Sequence, residues 1–171
     1  GHGRPIGSLL NRETLAQCFD LTLSREPVPL TDRLLFLGEI PRRLDFENAP
    51  PIGERDGPDG PVPDDLPDDT ALAFSSLRGL VIITGCSHAG ICNIIEHARD
   101  LTGESRVAAV IGGLHLLKPD PERFEATVDH LRGVGVADLY PCHCTCLAAK
   151  LALAAAASVH EVGCGLRLTF A

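Results

Sequence analysis

Methionine and tryptophan are missing from these 171 residues, and tyrosine occurs once. Position 1 is glycine, so the sequence does not open as a translated chain ordinarily does. The expectation that goes with this is a piece of a longer chain, with a tag remnant as the other source of Gly1 and His2. Basic runs are missing too: 15 Lys and Arg stand against 23 Asp and Glu, for a formal net charge of −8. A nucleic-acid partner needs a positive patch to meet phosphates, so that class is excluded. No apolar run approaches the ~20 residues of a membrane-crossing helix. The longest, 147–159, is interrupted by Lys150. No signal-peptide pattern opens the chain. The absence of any Cys-x-x-Cys removes the thioredoxin-type redox motif.

What is present describes an ordinary α/β domain. Hydrophobic residues make up 44% and charged residues 22%, the balance of a single globular unit over 1–171. Seven cysteines is an odd count, and four of them sit inside two short His-containing motifs. Reduced thiols in a cytoplasmic protein fit this better than a disulfide framework. Asn11 followed by 13–18 predicts a short capped helix. Strands are expected at 19–23 and 33–37. Seven of the thirteen prolines fall in 41–69, and 48–69 is rich in acids as well, which predicts an exposed loop without regular structure. Then come paired strands at 70–74 and 79–84, a helix at 91–101, a buried strand at 106–111 and a Pro-initiated helix at 121–131. A short strand at 137–140, an Ala-rich helix at 145–157 and a closing strand at 166–170 complete the alternation of an α/β fold.

Three histidines stand where strands end. His88 follows the strand at 80–84 in Thr84-Gly85-Cys86-Ser87-His88-Ala89-Gly90, His115 follows Gly112-Gly113-Leu114, and His143 lies in Pro141-Cys142-His143-Cys144-Thr145-Cys146. In open α/β sheets ligands gather at the carboxyl ends of strands, and neutral imidazole suits zinc and iron. A lone histidine in such a place is ordinarily a satisfied polar residue. Three in the same context point to a shared metal. His97, His130 and His160 lack that context and read as structural, as does His2 at the terminus. The cysteines sustain a rival reading as a Cys/His metal or redox site, although a closed structural zinc site needs two separated pairs with knuckle spacing. Beside a metal, Cys86 would be a candidate reactive thiolate.

In these motifs the chain resembles the metallo-β-lactamase-fold hydrolases, and among them the group similar to 7,8-dihydropterin-6-methyl-4-(β-D-ribofuranosyl)aminobenzene-5′-phosphate synthase. The resemblance runs through Gly38-Glu39-Ile40-Pro41-Arg42, Asp68-Asp69-Thr70-Ala71-Leu72, the block 79–93, the two later His motifs and 163–168, in order. It implies an αββα sandwich, present here as its C-terminal portion, with a divalent metal at one sheet edge: zinc, or else manganese or iron. It implies metal-activated water acting on a small anionic substrate, a phosphate ester or pterin-like compound. By position, His88 and His143 become the metal ligands. His115, Cys86 and Asn93 become site or supporting residues, and Arg42 and Glu39 stand near the lid. The His-x-His-x-Asp-His segment that supplies further ligands in such proteins does not occur in this sequence, where no two histidines are one residue apart. Weak metal affinity, little turnover and an uncovered sheet face are therefore expected of this chain alone. A non-catalytic module of the same fold is the alternative.

Overall fold

The computed structural model describes residues 7–171, so His2 lies outside the described residues. Its centre is a seven-stranded sheet in the order β1 (Val28–Pro29), β2 (Leu34–Phe36), β5 (Ala71–Ser76), β6 (Gly79–Thr84), β7 (Val107–Gly113), β8 (Asp138–Cys142), β9 (Ser158–Val159). The first four strands in that order pair antiparallel, and β6 to β9 run parallel. Parallel neighbours need crossovers. These are α2 (Ile91–Thr102), α3 (Pro121–Val134) and α4 (Leu147–Leu153). One core joins Leu80, Ile82, Val107, Val110 and Leu139 of the sheet to Ile91, Ile94, Ile95, Val128, Leu131 and Leu153 of the helices. All three helices therefore pack on one face. The opposite face holds Val81, Ala108 and Ala109, with Phe74, Ile111, Tyr140 and Phe170 packed about them.

Local chemistry explains the helix starts. Asp120 accepts from the N–H groups of Glu122 and Arg123, both at 3.1 Å, with Pro121 at the first turn. The residue before α2 is Gly90, which has no side chain to cap with. Its place is taken from afar by Glu47, which lies on a short 3₁₀ turn (Asp45–Glu47). This carboxylate accepts from Cys92 N at 3.0 Å and Asn93 N at 2.7 Å. Asn11 caps α1 (Arg12–Ala16), accepting from Thr14 N at 2.8 Å.

Four expectations need correction. The segment 48–69 contains β3 (Gly53–Gly57) and β4 (Gly60–Asp64), a hairpin closed through Pro58 and Asp59. Spaced by two, Pro61 and Pro63 withhold N–H groups from one side of β4 only, which an exposed two-stranded ribbon tolerates. Residues 19–23 form no strand. They find no partner, and Phe19 and Leu23 are exposed. Residues 166–170 form no strand either, although Leu77 N donates to Ala171 O at 2.8 Å. The helix expected at 145–157 occupies only Leu147–Leu153: Thr145 is held in a bridge to Leu116, and the last alanines turn toward β9. No helix among the described residues is long and apolar enough to cross a membrane.

Candidate metal centre

The C-terminal ends of β6, β7 and β8 deliver three turns to one place. Hydrogen bonds stitch them together. Ser87 Oγ donates to Gly113 O at 2.7 Å, Gly113 N to Gly85 O at 2.9 Å, Leu114 N to Thr145 Oγ1 at 3.0 Å, and Leu116 N to Cys144 O at 2.8 Å. Gly112 is required where β7 leaves β6: its φ is +136°, and a Cβ there would lie 2.1 Å from Thr84 O. Ser87, His115 and His143 have φ of 59°, 52° and 51°. Side-chain-bearing residues seldom adopt such values, and they concentrate where function holds the backbone.

These turns assemble two adjoining groups of side chains. In the first, the His88 and His115 rings meet edge to face with centroids 4.8 Å apart. The buried carboxylate of Asp69 lies 3.9 Å from His88 Nδ1 and accepts from Ala89 N at 2.8 Å. Burial, then the neighbouring His88 and Arg123, holds the pKa of His115 below its usual range. That favours the neutral imidazole, the form that binds metals. In the second group, ligand atoms of Cys86, His143 and Cys144 all lie within 4.8 Å of one another. The two expected ligands thus sit on one edge, His88 against His115 and Asp69, and His143 against the thiols. Partial burial, then the neighbouring Cys144, Asp69 and Cys142, pushes the Cys86 thiol up to about 11. That favours the thiol in the metal-free chain, whereas the reactive thiolate expected of Cys86 is one beside a metal.

Asn93 helps to hold the frame. It accepts from Arg43 N and Leu44 N at 2.9 and 3.0 Å and donates to Ala89 O at 2.8 Å. Arg42 likewise donates to the carbonyls of His88 and Asp65, tying the His88 turn to the segment before β5. Glu39 pairs with Arg25 at 3.5 Å on the exposed surface. His97 bonds Leu37 O at 3.1 Å, His130 bonds Glu96 at 2.9 Å, and His160 bonds Asp138 at 2.8 Å. Beside His115 opens a cleft of about 1040 Å³, walled by Phe46, Pro50 and Leu117, with Lys118 and Arg123 balanced by Asp120 and Glu122.

Asp69, Lys118 and Arg123 did not emerge from the motifs as site residues. For Asp69 a signal existed. The pairing of Ala71 with Thr84 places the two residues before β5 beside the two residues after β6, so Asp69 must face the turn that carries Cys86 and His88.

No family model matches the chain. It is 38% identical over 126 residues to 7,8-dihydropterin-6-methyl-4-(beta-D-ribofuranosyl)-aminobenzene-5'-phosphate synthase of Methanocaldococcus jannaschii, covering 72% of this chain and 43% of that protein. An uncharacterised protein of the same archaeon, MJ0448, is 30% identical over 134 residues, covering 78% of this chain and 48% of its own. The chain spans about half the length of these curated relatives. Among solved structures, Tm1679, a metal-dependent hydrolase of the beta-lactamase superfamily, superposes with a TM-score of 0.73 at 27% identity, over 88% of this chain and 58% of that one.

Proposed function

We propose, from the premise that this chain has the metallo-β-lactamase fold and is similar to the dihydropterin ribofuranosylaminobenzene phosphate synthase group, that it supplies one wall of a metal-dependent site acting on a phosphate-bearing small molecule. The observation that carries this reading is the convergence of His88, His115 and Asp69 at one sheet edge, on turns held at unfavourable backbone angles, beside a cleft that offers Lys118 and Arg123 along with Asp120 and Glu122. The donor set fits a divalent ion. It offers two imidazoles, of which His115 favours the neutral form, a buried carboxylate, and His143 with two thiols next to them. His88 and His143 would hold one or two ions from this side, with zinc favoured and manganese or iron the other choices. When bound, such an ion lowers the pKa of water and polarises a phosphoryl oxygen.

The chain's own residues do the rest. Asp69, 3.9 Å from His88 Nδ1, lies close enough to orient that imidazole by its charge. Arg123 and Lys118 attract the anionic group, and Phe46 and Leu117 offer an apolar wall to a flat ring.

Calorimetric titration of zinc into the chain, with hydrolysis of chromogenic phosphate esters as a second readout, tests this. His88→Ala should remove the zinc held beside Asp69, and His143→Ala the zinc held beside the thiols, each lowering the amount of zinc bound. Asp69→Ala should lower affinity ~10–100-fold, as the loss of a ligand's supporting partner does. Arg123→Ala should raise KM and leave kcat nearly unchanged. Zinc binding that is indifferent to both histidine substitutions would end the proposal.

A further inference from the structure

We propose that Cys86, Cys144 and His143 form a sulfur-rich ligand set of their own, so that the ion held by His143 is thiolate-bound and of the thiophilic class, Zn²⁺ or its analogues. The inference rests on the proposed metal-dependent reading only for the role of His143. It adds what that reading lacks, which is the identity of the donors and hence the kind of metal selected.

The three ligand atoms already lie within 4.8 Å of one another. Around a tetrahedral zinc with bonds of about 2.0–2.3 Å, ligand atoms stand about 3.5–4 Å apart, so small side-chain rotations complete the set. The ligands come from two turns that are fixed to each other. Cys144 Sγ lies 3.5 Å from Cys86 O, and His115 N donates to Cys144 Sγ at 3.1 Å. The Cys144 S–H donates to that carbonyl, so the two backbone contacts fix the position of this sulfur. Gly113 makes room for it: a Cβ there would lie 2.6 Å from Cys144 Sγ. Cys144 is buried at 7% exposure, Cys86 is half-buried and His143 is exposed. The group therefore has a dry base and an open top, with three protein donors and a free fourth position. Closed structural zinc sites use four protein ligands, and sites that keep a position for an exogenous ligand use three.

A disulfide is the competing fate of two adjacent thiols. It would need an added oxidant such as a peroxide, whereas metal capture by the reduced pair needs only release of two thiol protons to solvent. Soft thiolate donors prefer zinc-like ions over magnesium, calcium or manganese.

Cobalt(II), added to the full reduced chain, is the probe. Thiolate-to-cobalt charge-transfer absorption in the near ultraviolet should appear together with the visible bands of a tetrahedral ion, and saturate at one equivalent. Cys86→Ser and Cys144→Ser should each reduce the charge-transfer band by about half or more, while His88→Ala leaves it in place. Cys86 is half-buried, so its serine variant keeps the test intact should Cys144→Ser fold poorly. Cobalt bound with a nitrogen and oxygen spectrum only, unchanged in Cys86→Ser, overturns the inference and leaves the hydrolase reading standing. A thiolate band with phosphate-ester hydrolysis insensitive to His88→Ala supports the inference and removes that reading. No cobalt binding at all defeats both.

Discussion

Glu47 is a buried carboxyl at 2% exposure that does the work of a helix cap from outside the helix. Burial pushes its pKa above the ordinary carboxylate value. The N–H groups of Cys92 and Asn93 pull the other way but do not prevail. Removing it leaves two donors at the start of α2 without a partner, and α2 carries much of the helical side of the core. Glu47→Ala should cost about 1–3 kcal/mol, the scale for unsatisfied buried groups, as read by urea unfolding. The pH dependence has a definite sign. Because the folded-state pKa is raised, the native state keeps a proton that the unfolded chain has already released. Stability from this group is therefore full below the ordinary glutamate pKa, falls as pH rises through the raised value, and is level above it. Glu47→Ala should flatten that slope. Equal slopes in the two proteins would mean that Glu47 is ionised at no cost to folding.

Among the elements, the β6, β7 and β8 ends matter most, because the candidate centre has no other scaffold. Gly112 lies in the contact between β6 and β7, with a positive φ and Thr84 O where a Cβ would stand. Gly112→Ala must push the two strand ends apart or twist the turn that carries His115. Substitution at a positive-φ glycine destabilises by more than the ~0.4–1 kcal/mol gained from a stiffer unfolded chain. The expected result is a lower Tm together with weaker zinc binding. Unchanged zinc affinity would show that the His115 turn does not depend on this packing. The strands and helices around this edge were legible in the sequence, since Leu80–Thr84, Val107–Ile111 and the α2 pattern combine apolar periodicity with Gly or Pro punctuation. The hairpin at 53–64 was not, because Pro61 and Pro63 read as breakers until their two-residue spacing is set against a single partner strand. Residues 19–23 misled in the other direction: an apolar alternation specifies a strand only where a neighbour exists to pair with it. The three histidines could be found from motif context. Asp69 could be found only through the register of the β5–β6 hairpin, and Lys118 and Arg123 not at all, since cations near a helix start look like ordinary surface.

At the scale of the whole molecule, the two faces of the sheet are unequal. One is sealed by α2, α3 and α4. On the other, Val81, Ala108 and Ala109 are buried, but their cover is thin: Phe74, Ile111 and Tyr140 are half-buried, Phe170 reaches in from the C-terminal segment, and Ile83 is 39% exposed. The expected uncovered face is thus partly covered by the last residues of the chain, without a strand. Contiguous apolar surface of this kind binds hydrophobic probes even when the fold is intact. The native chain should therefore enhance the fluorescence of an environment-sensitive dye at neutral pH without denaturant. Ile83→Lys should cut that enhancement by half or more and change stability by about 0.5 kcal/mol or less, as expected for a site already open to water. Phe170→Ala should act in reverse, raising dye binding by removing cover and costing about 1–2 kcal/mol for the lost burial of part of a large side chain. If Ile83→Lys unfolds the chain, or if dye binding ignores both substitutions, the face is sealed in solution and the asymmetry of the two layers is not a property of the folded protein.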